Sequence, residues 1–534
     1  LQFSKAFNPN NRLNALLGME LRSSTAKGTA NTVWGYVPDR GERIVAPTIP
    51  SQVVSPGGSP TGWGILKELY DRGWKRTNNT NNFLSFFATF AYSFKNRYVV
   101  NANVRNDASN VFGQDINHRI DPTYSFGFSW RASEEAFFQK HLKWITTLNF
   151  RGTFGIQGNA LTRESPELIL SQQGVQPGYN RYFSTIGQIP NPYLSWERTR
   201  NWNFGVDLEL FRMFYMNLEY YTRRSNAVIT VDLPFEYGID DMKRNGGIIY
   251  NRGIEYTLSF TPIQKRDFSL NINLNASKNW NKGGETKIDR NTAMYLRGGS
   301  TQILKKGYPL SAFWSYSFAG LDGSNGKPMF NYVEVPDEEK SKSIDPTTYL
   351  VYSGETEPYF TGGLGFSFRY KSLSLNTSFS LLLGSKKRLP SPYSDFQGSG
   401  SMMPDPTKNV NRDLLNRWQK PGDEVYTNIP GLPTWPIEIG WTLPNTDSAE
   451  SAIEMWEKSD AMVVSGSFLR CRNIGLSWQM KKEWCDKIHA KNLAINFNMD
   501  NIFVIASKRF NGFDPELENS IMPRSFSLGL NIGF

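Results

Sequence analysis

Cysteine is nearly absent from this 534-residue chain, in which Cys471 and Cys485 are the only two. They are too few for a disulfide framework and lack the spacing of a zinc site, so both read as incidental. Histidine is little commoner: His118, His141 and His489 stand far apart, without metal-ligand spacing, and read as loop or turn residues. No run of about 18 apolar residues occurs, which excludes a helical membrane protein. No G-x-S-x-G elbow, Walker loop, G-x-G-x-x-G fingerprint or H-E-x-x-H is present. No low-complexity linker or shift of composition divides residues 1–534, so one large architecture is expected. At Leu1 there is no charged n-region followed by an apolar h-region, so a secretory signal is expected to have been removed or to lie upstream. Charge is not concentrated either. The formal net charge is +10, but Lys and Arg are scattered, so no nucleic-acid partner is expected. Loop solubility and acidic lipid headgroups account for the excess.

What the chain does have is alternation. In Pro523 to Phe534, Phe526, Leu528, Leu530, Ile532 and Phe534 take every second position, with Ser525, Ser527, Gly529, Asn531 and Gly533 between them. Successive strand side chains point to opposite faces, so one face is apolar and the other small, polar and uncharged. A soluble sheet usually puts Lys, Glu and Thr on its wet face, whereas Ser, Asn and Gly suit a crowded, hydrated interior with lipid on the far side. The pattern recurs at Leu270, Ile272 and Leu274 against Asn271, Asn273 and Asn275, and at Leu373, Leu375 and Phe379 against Ser374, Asn376 and Ser378. Tight hairpins are expected at Lys95–Arg97 and Phe211–Met213, and a short helical connection at 133–143.

Short turns alternate with excursions at about 22–80, 158–200, 279–302, 320–358 and 384–465, the asymmetry of an outer-membrane barrel. Trp130, Trp144, Trp202, Tyr370 and Trp478 fall at strand ends and fit interfacial girdles. The expectation is an all-β, transmembrane antiparallel β-barrel contributing about sixteen strands. In Phe468–Trp478, Arg470 and Arg472 share a parity with Ile474, Leu476 and Trp478. Either a bulge near Asn473 reverses the facing or the arginine-bearing half rises above the membrane. The second is preferred because a long loop precedes it.

The segments RYVVNANVRNDASNVFG (97–113), SWERTRNWNFGVDLELF (195–211), NGGIIYNRGIEYTLSFTPI (245–263), KKGYPLSAFWSYSFAGLDGSNGKPMF (305–330), NRWQKPGD (416–423) and SGSFLRCRNIGLSW (465–478) are followed by NLAINFNMDNIFV and NGFDPEL. In this order they resemble the SusC/RagA family of TonB-dependent outer-membrane transporters. Ala108 departs from the family's Asp-Gly-Ser-Ser turn. The resemblance implies a barrel of about 22 strands filled by an N-terminal plug. It also implies that this chain is the C-terminal part, without the plug, the TonB-contacting segment and roughly the first six strands. The strand ending at Phe534 would then pair with the absent first strand, and these residues alone would not close. The implied partners are a SusD-like surface lipoprotein, TonB through the missing N-terminal region, and the lipid bilayer with its lipopolysaccharide. The implied location is a Gram-negative outer membrane of Bacteroidetes type.

Arg105, Arg131, Arg151, Asp207, Glu209, Glu219, Glu255 and Arg369 fall on the polar parity and are the candidate lumen-lining residues. A pair of carboxylates among them would suit glycoside hydrolysis, but inward charges on hydrated barrels pair with arginines from other strands or a plug, and no enzyme or cofactor is expected. Trp34, Trp63, Trp74, Trp435 and Trp441 are the candidate loop aromatics for a partner or substrate, packing against a lid being favoured over stacking on sugar rings. The function expected is SusC-type nutrient import energised by TonB. A passive porin, a soluble sugar-binding β protein and a transporter-like scaffold in a larger complex are the alternatives.

Overall fold

The computed structural model describes residues 1–31, 36–37, 43–44, 74–110, 120–159, 167–176, 181–239, 241–286, 293–298, 304–331, 346–393, 409–432, 452–517 and 520–534. Fifteen strands form one antiparallel sheet whose spatial order is the chain order. They are β1 (Gln2–Asn8), β2 (Asn11–Asn31), β3 (Trp74–Phe94), β4 (Tyr98–Ser109), β5 (Ile120–Arg131), β6 (Ile145–Asn159), β7 (Glu197–Leu210), β8 (Phe214–Asp232), β9 (Asp241–Gln264), β10 (Phe268–Thr286), β11 (Phe360–Tyr370), β12 (Leu373–Leu383), β13 (Phe468–Gln479), β14 (Asn492–Ile505) and β15 (Ser525–Gly533). Among the described residues the number is close to the pattern count of about sixteen. Strands also reach into stretches expected to be loop: β2 runs on to Asn31, β3 begins at Trp74 and β10 continues to Thr286.

At one end of the sheet the connections are short. Lys95 and Asn96 have φ of 51° and 55°, Phe211 and Arg212 of 53° and 57°. Two left-handed central residues define the turn whose twist matches that of paired strands. The Arg97 N–H donates to the Phe94 carbonyl and the Met213 N–H to that of Leu210, each at 3.0 Å. Short helices at Ala136–His141 and Lys482–Lys487 close two further connections at this end. Trp130, Trp144, Tyr370 and Trp478 all sit here, with Trp144 stacked on Phe211 at 5.7 Å. Trp202 does not: it lies in the body of β7, tilted against Phe154 at 4.3 Å.

Among the described residues the apolar rows are not covered by a second sheet. Phe126 and Phe204 are each 52% exposed and Leu528 is 76% exposed. The larger buried clusters lie instead in the two longest connections, β10–β11 and β12–β13, which fold together into a lobe. Leu296, Trp314, Tyr316, Tyr349 and Met455 form one cluster, Tyr393, Leu414, Ile453, Trp456 and Met462 another, and Phe330 packs against both.

The strand with misplaced arginines contains a bulge. Asn473 pairs with Ser378 and Cys471 with Phe379, so Arg472 is the extra residue against β12. Leu469 and Cys471 thereby join Ile474, Leu476 and Trp478 on the apolar side, while Arg470 pairs with Ser380 on the polar side. The less favoured of the two readings is thus present, one inserted residue reversing the facing locally, and the parity of the arginines no longer calls for a half raised above the membrane.

Candidate functional site

The polar face carries its charge in discrete clusters. Arg151 on β6, Gly205 on β7 and Glu219 on β8 stand in one cross-strand row. A Cβ at Gly205 would lie 3.1 Å from Nη2 of Arg151, so the missing side chain is what lets the guanidinium cross β7. Its Nη2 donates to Glu219 Oε1 at 2.9 Å and Asp207 Oδ1 at 3.1 Å. Asp207 also accepts from Asn149 at 2.9 Å and Asn217 at 2.7 Å, and Glu219 from Asn203 at 3.2 Å. Both carboxylates are thus spent on a structural cation, and neither is free for acid–base work with the other. The same device recurs one step round the sheet. The Tyr221 ring lies over Gly253, and its hydroxyl contacts Asn279 Oδ1 on β10 at 3.1 Å.

Arg105 centres a second cluster. Its Nε donates to Asp107 at 2.7 Å and its Nη2 to Glu20 at 3.0 Å and to the Ser85 hydroxyl at 2.7 Å. Ser85 in turn donates to Asp107, and the guanidinium lies over the Phe87 ring at 5.6 Å. Glu209 accepts from Thr147 at 3.0 Å. Glu255 stands directly opposite Glu219, a like-charge pairing that the Arg151 bridge to Glu219 offsets. Arg131 and Arg369 stand apart from these clusters at the short-turn end. Arg131 reaches the Asn96 carbonyl at 3.5 Å and Arg369 the Ser269 hydroxyl at 3.4 Å. Of the loop aromatics, Trp34, Trp63, Trp435 and Trp441 lie outside the described residues. Trp74 opens β3 opposite Asn31, its side chain also outside them.

A third cluster was missed by sequence reasoning. Arg470, 2% exposed, binds both oxygens of Asp514, 4% exposed, from the β14–β15 connection, at 2.7 and 2.6 Å. Arg470 also pairs with Glu516 at 3.0 Å, and Arg472 joins Glu516 at 2.8 Å to the Ser380 hydroxyl at 2.9 Å. The same connection reaches the lobe, where Asn511 donates to Asp413 at 2.6 Å and Arg509 to the Val463 carbonyl at 2.8 Å. The signal was present in two arginines at odds with their strand's parity and the acidic NGFDPEL segment, but nothing in the sequence joined them.

Within the lobe, the Arg388 guanidinium donates to the carbonyls of Arg297 at 3.1 Å and Trp314 at 3.2 Å and to the Ser315 hydroxyl at 3.1 Å. Burial, reinforced by the neighbouring Arg297 cation, pulls its pKa down to about 10. Burial, and then the charge of Glu357, raises the Glu355 carboxyl above its ordinary value. Among the described residues no group of His, Cys, Asp and Glu is arranged to hold a metal ion.

An antiparallel meander with an uncovered apolar face, a small-residue polar face and short connections at one end is the wall of an outer-membrane β-barrel. Residues 3–381 match the TonB dependent receptor-like, beta-barrel family, and the chain belongs to it. It is similar to TonB-dependent receptor P3 of Formosa agariphila, with 23% identity over 85% of this chain and 46% of that protein. With TonB-dependent receptor SusC of Bacteroides thetaiotaomicron the identity is 25% over 85% of this chain and 44% of SusC. A solved structure of the RagAB peptide transporter superposes with a TM-score of 0.74 at 21% identity, over all of this chain and 54% of that one. The kinship is therefore of the SusC/RagA type, and the family places the chain in a Gram-negative outer membrane. The chain spans about half the length of the curated relatives it matches.

Proposed function

We propose that this chain is part of an outer-membrane nutrient importer of the SusC type, energised through TonB and covered by a SusD-like surface lipoprotein, in a bacterium of the Bacteroidetes. The observation that carries this reading is the pairing of an uncovered apolar face with a continuous Ser, Asn and Gly face across β10–β15. That is the lining of a hydrated lumen, on which a solute meets exchangeable hydrogen bonds and no reacting group. The clusters around Arg105 and Arg151 then face the lumen, with Glu209 and Glu255 available to a plug. Arg131 and Arg369 sit nearer the periplasmic rim, on the side of the short turns. The lobe and the β14–β15 connection stand on the outer side, where a lid would rest. Membership of a TonB-dependent receptor family and likeness to SusC support the energy source and the partner.

The test takes the full-length transporter, tagged and extracted with mild detergent from its own outer membrane. A stoichiometric surface lipoprotein is expected in the purified material, and growth on glycan or peptide mixtures is expected to fall equally when TonB or the transporter is deleted. Purification without a lipoprotein, together with growth indifferent to TonB, would leave a passive pore as the better reading.

A further inference from the structure

The two halves of the polar face differ in kind. From β2 to β9 it carries charges of both signs, Glu20, Asp107, Asp207, Glu209, Glu219 and Glu255 standing with Arg12, Arg22, Arg105, Arg131, Arg151 and Arg223. From β10 to β15 Arg369 stands at the short-turn end, and beyond it one cross-strand row reads Asn271, Ser367, Asn376, Gly475, Asn498 and Ser527, without a charge. The next row reads Asn273, Gly365, Ser378, Asn473, Asp500 and Ser525. Its single charge is capped by Asn473 at 2.8 Å and Ser525 at 2.8 Å. Arg470, at the outer rim of this half, is neutralised by Asp514.

We propose that passage through the lumen runs along the β10–β15 wall, taking polar, uncharged, hydrogen-bonding segments of a solute, while the β2–β9 wall, with charges of both signs, is the fixed side against which a charged luminal surface stays anchored. The inference rests on the importer reading above. Charge-assisted hydrogen bonds are roughly twice as strong as neutral ones, so a group seated on the charged wall leaves slowly. Amide and hydroxyl bonds on the other wall exchange with water at little net cost, so neither a solute nor a moving luminal segment finds a trap there. The bridge from Arg151 across β7 also ties three strands of the fixed side together, a restraint with no charged counterpart among the row residues of the neutral side.

Thiol accessibility in the full-length transporter, in its own outer membrane, tests this without knowing the cargo. Asn273, Asn376 and Ser367 are exposed on the neutral wall and Thr153 on the charged one, while Cys471 and Cys485 are buried and silent. Asn273→Cys, Asn376→Cys and Thr153→Cys are each treated from outside with a small uncharged methanethiosulfonate, with the TonB system intact or deleted. Ser367→Cys stands in if one neutral-wall variant fails to assemble. Active TonB is expected to speed modification at Asn273→Cys and Asn376→Cys by about tenfold, by shifting the population in which the wall is uncovered, and to leave Thr153→Cys nearly unchanged. Acceleration at Thr153→Cys alone, or equally on both walls, overturns the proposal while the importer reading stands. Indifference of every position to TonB overturns both.

Discussion

At the residue scale, the charged wall is organised by a residue with no side chain. Gly205 leaves the space through which Arg151 reaches Glu219 two strands away. Gly205→Val is expected to destabilise the barrel by about 1–3 kcal/mol, read from urea unfolding in detergent micelles. In a Glu219→Gln background the same change is expected to cost much less, because the bridge it blocks is already weakened. Equal costs in both backgrounds would place the effect in backbone packing instead. A second residue-scale prediction concerns Glu355, whose carboxyl is raised by burial. The unfolded carboxyl ionises first as pH rises from about 4.5, so the folded lobe loses stability between that pH and the raised folded value and then levels off. Glu355→Gln is expected to stabilise the lobe at neutral pH, with the gain vanishing below about pH 4.5 in a limited-proteolysis titration. A gain independent of pH would contradict burial as the cause.

At the element scale, parity decides which substitution is tolerated. On β12, Leu375 lies on the apolar side and Ser374 on the polar one. Leu375→Arg is expected to cost about 2–4 kcal/mol near the bilayer midplane and Ser374→Arg far less, and similar costs would contradict the facing. This part of the fold was legible because a period of two survives any disturbance outside the strand. Asp207, Glu209 and Glu219 could be assigned to one face for the same reason. The bulge in β13 was legible only as one of two readings, since one inserted residue changes neither composition nor hydrophobicity and shows only as arginines on the wrong parity. Their partners were out of reach, because Asp514 and Glu516 arrive from a connection beyond β14 whose path no periodicity encodes. That pairing makes its own prediction. Arg470→Met strands a carboxylate at a site where Arg470 is 2% and Asp514 4% exposed, and is expected to cost about 3–5 kcal/mol. Adding Asp514→Leu is expected to recover part of that loss, whereas an additive double variant would mean that the ion pair does not couple strand to connection.

At the scale of the whole molecule, the sheet ends on β1 and β15, which pair with β2 and β14 and, among the described residues, not with each other. Each therefore offers an edge of unpaired N–H and C=O groups. In water such an edge is hydrated, but in hydrocarbon each unsatisfied group costs several kcal/mol, so two open edges would cost on the order of tens of kcal/mol. Fifteen strands can sit in a bilayer only if those edges are occupied, either by each other in a narrower barrel or by additional strands in a wider one. The curated relatives are about twice as long as this chain, which favours the wider closure. On the proposal that the chain is part of a longer transporter, residues 1–534 expressed alone are then expected to yield no heat-modifiable, protease-resistant species in the outer membrane, while the same residues within that transporter do. Ser4 on β1 and Ser527 on β15 provide the direct check, because cysteines at both positions can form a disulfide only if the two edges meet. No cross-link is expected in the longer protein. A Ser4→Cys/Ser527→Cys disulfide there, in a folded and heat-modifiable barrel, would show that these fifteen strands close on themselves and that the lumen is narrower than the family's.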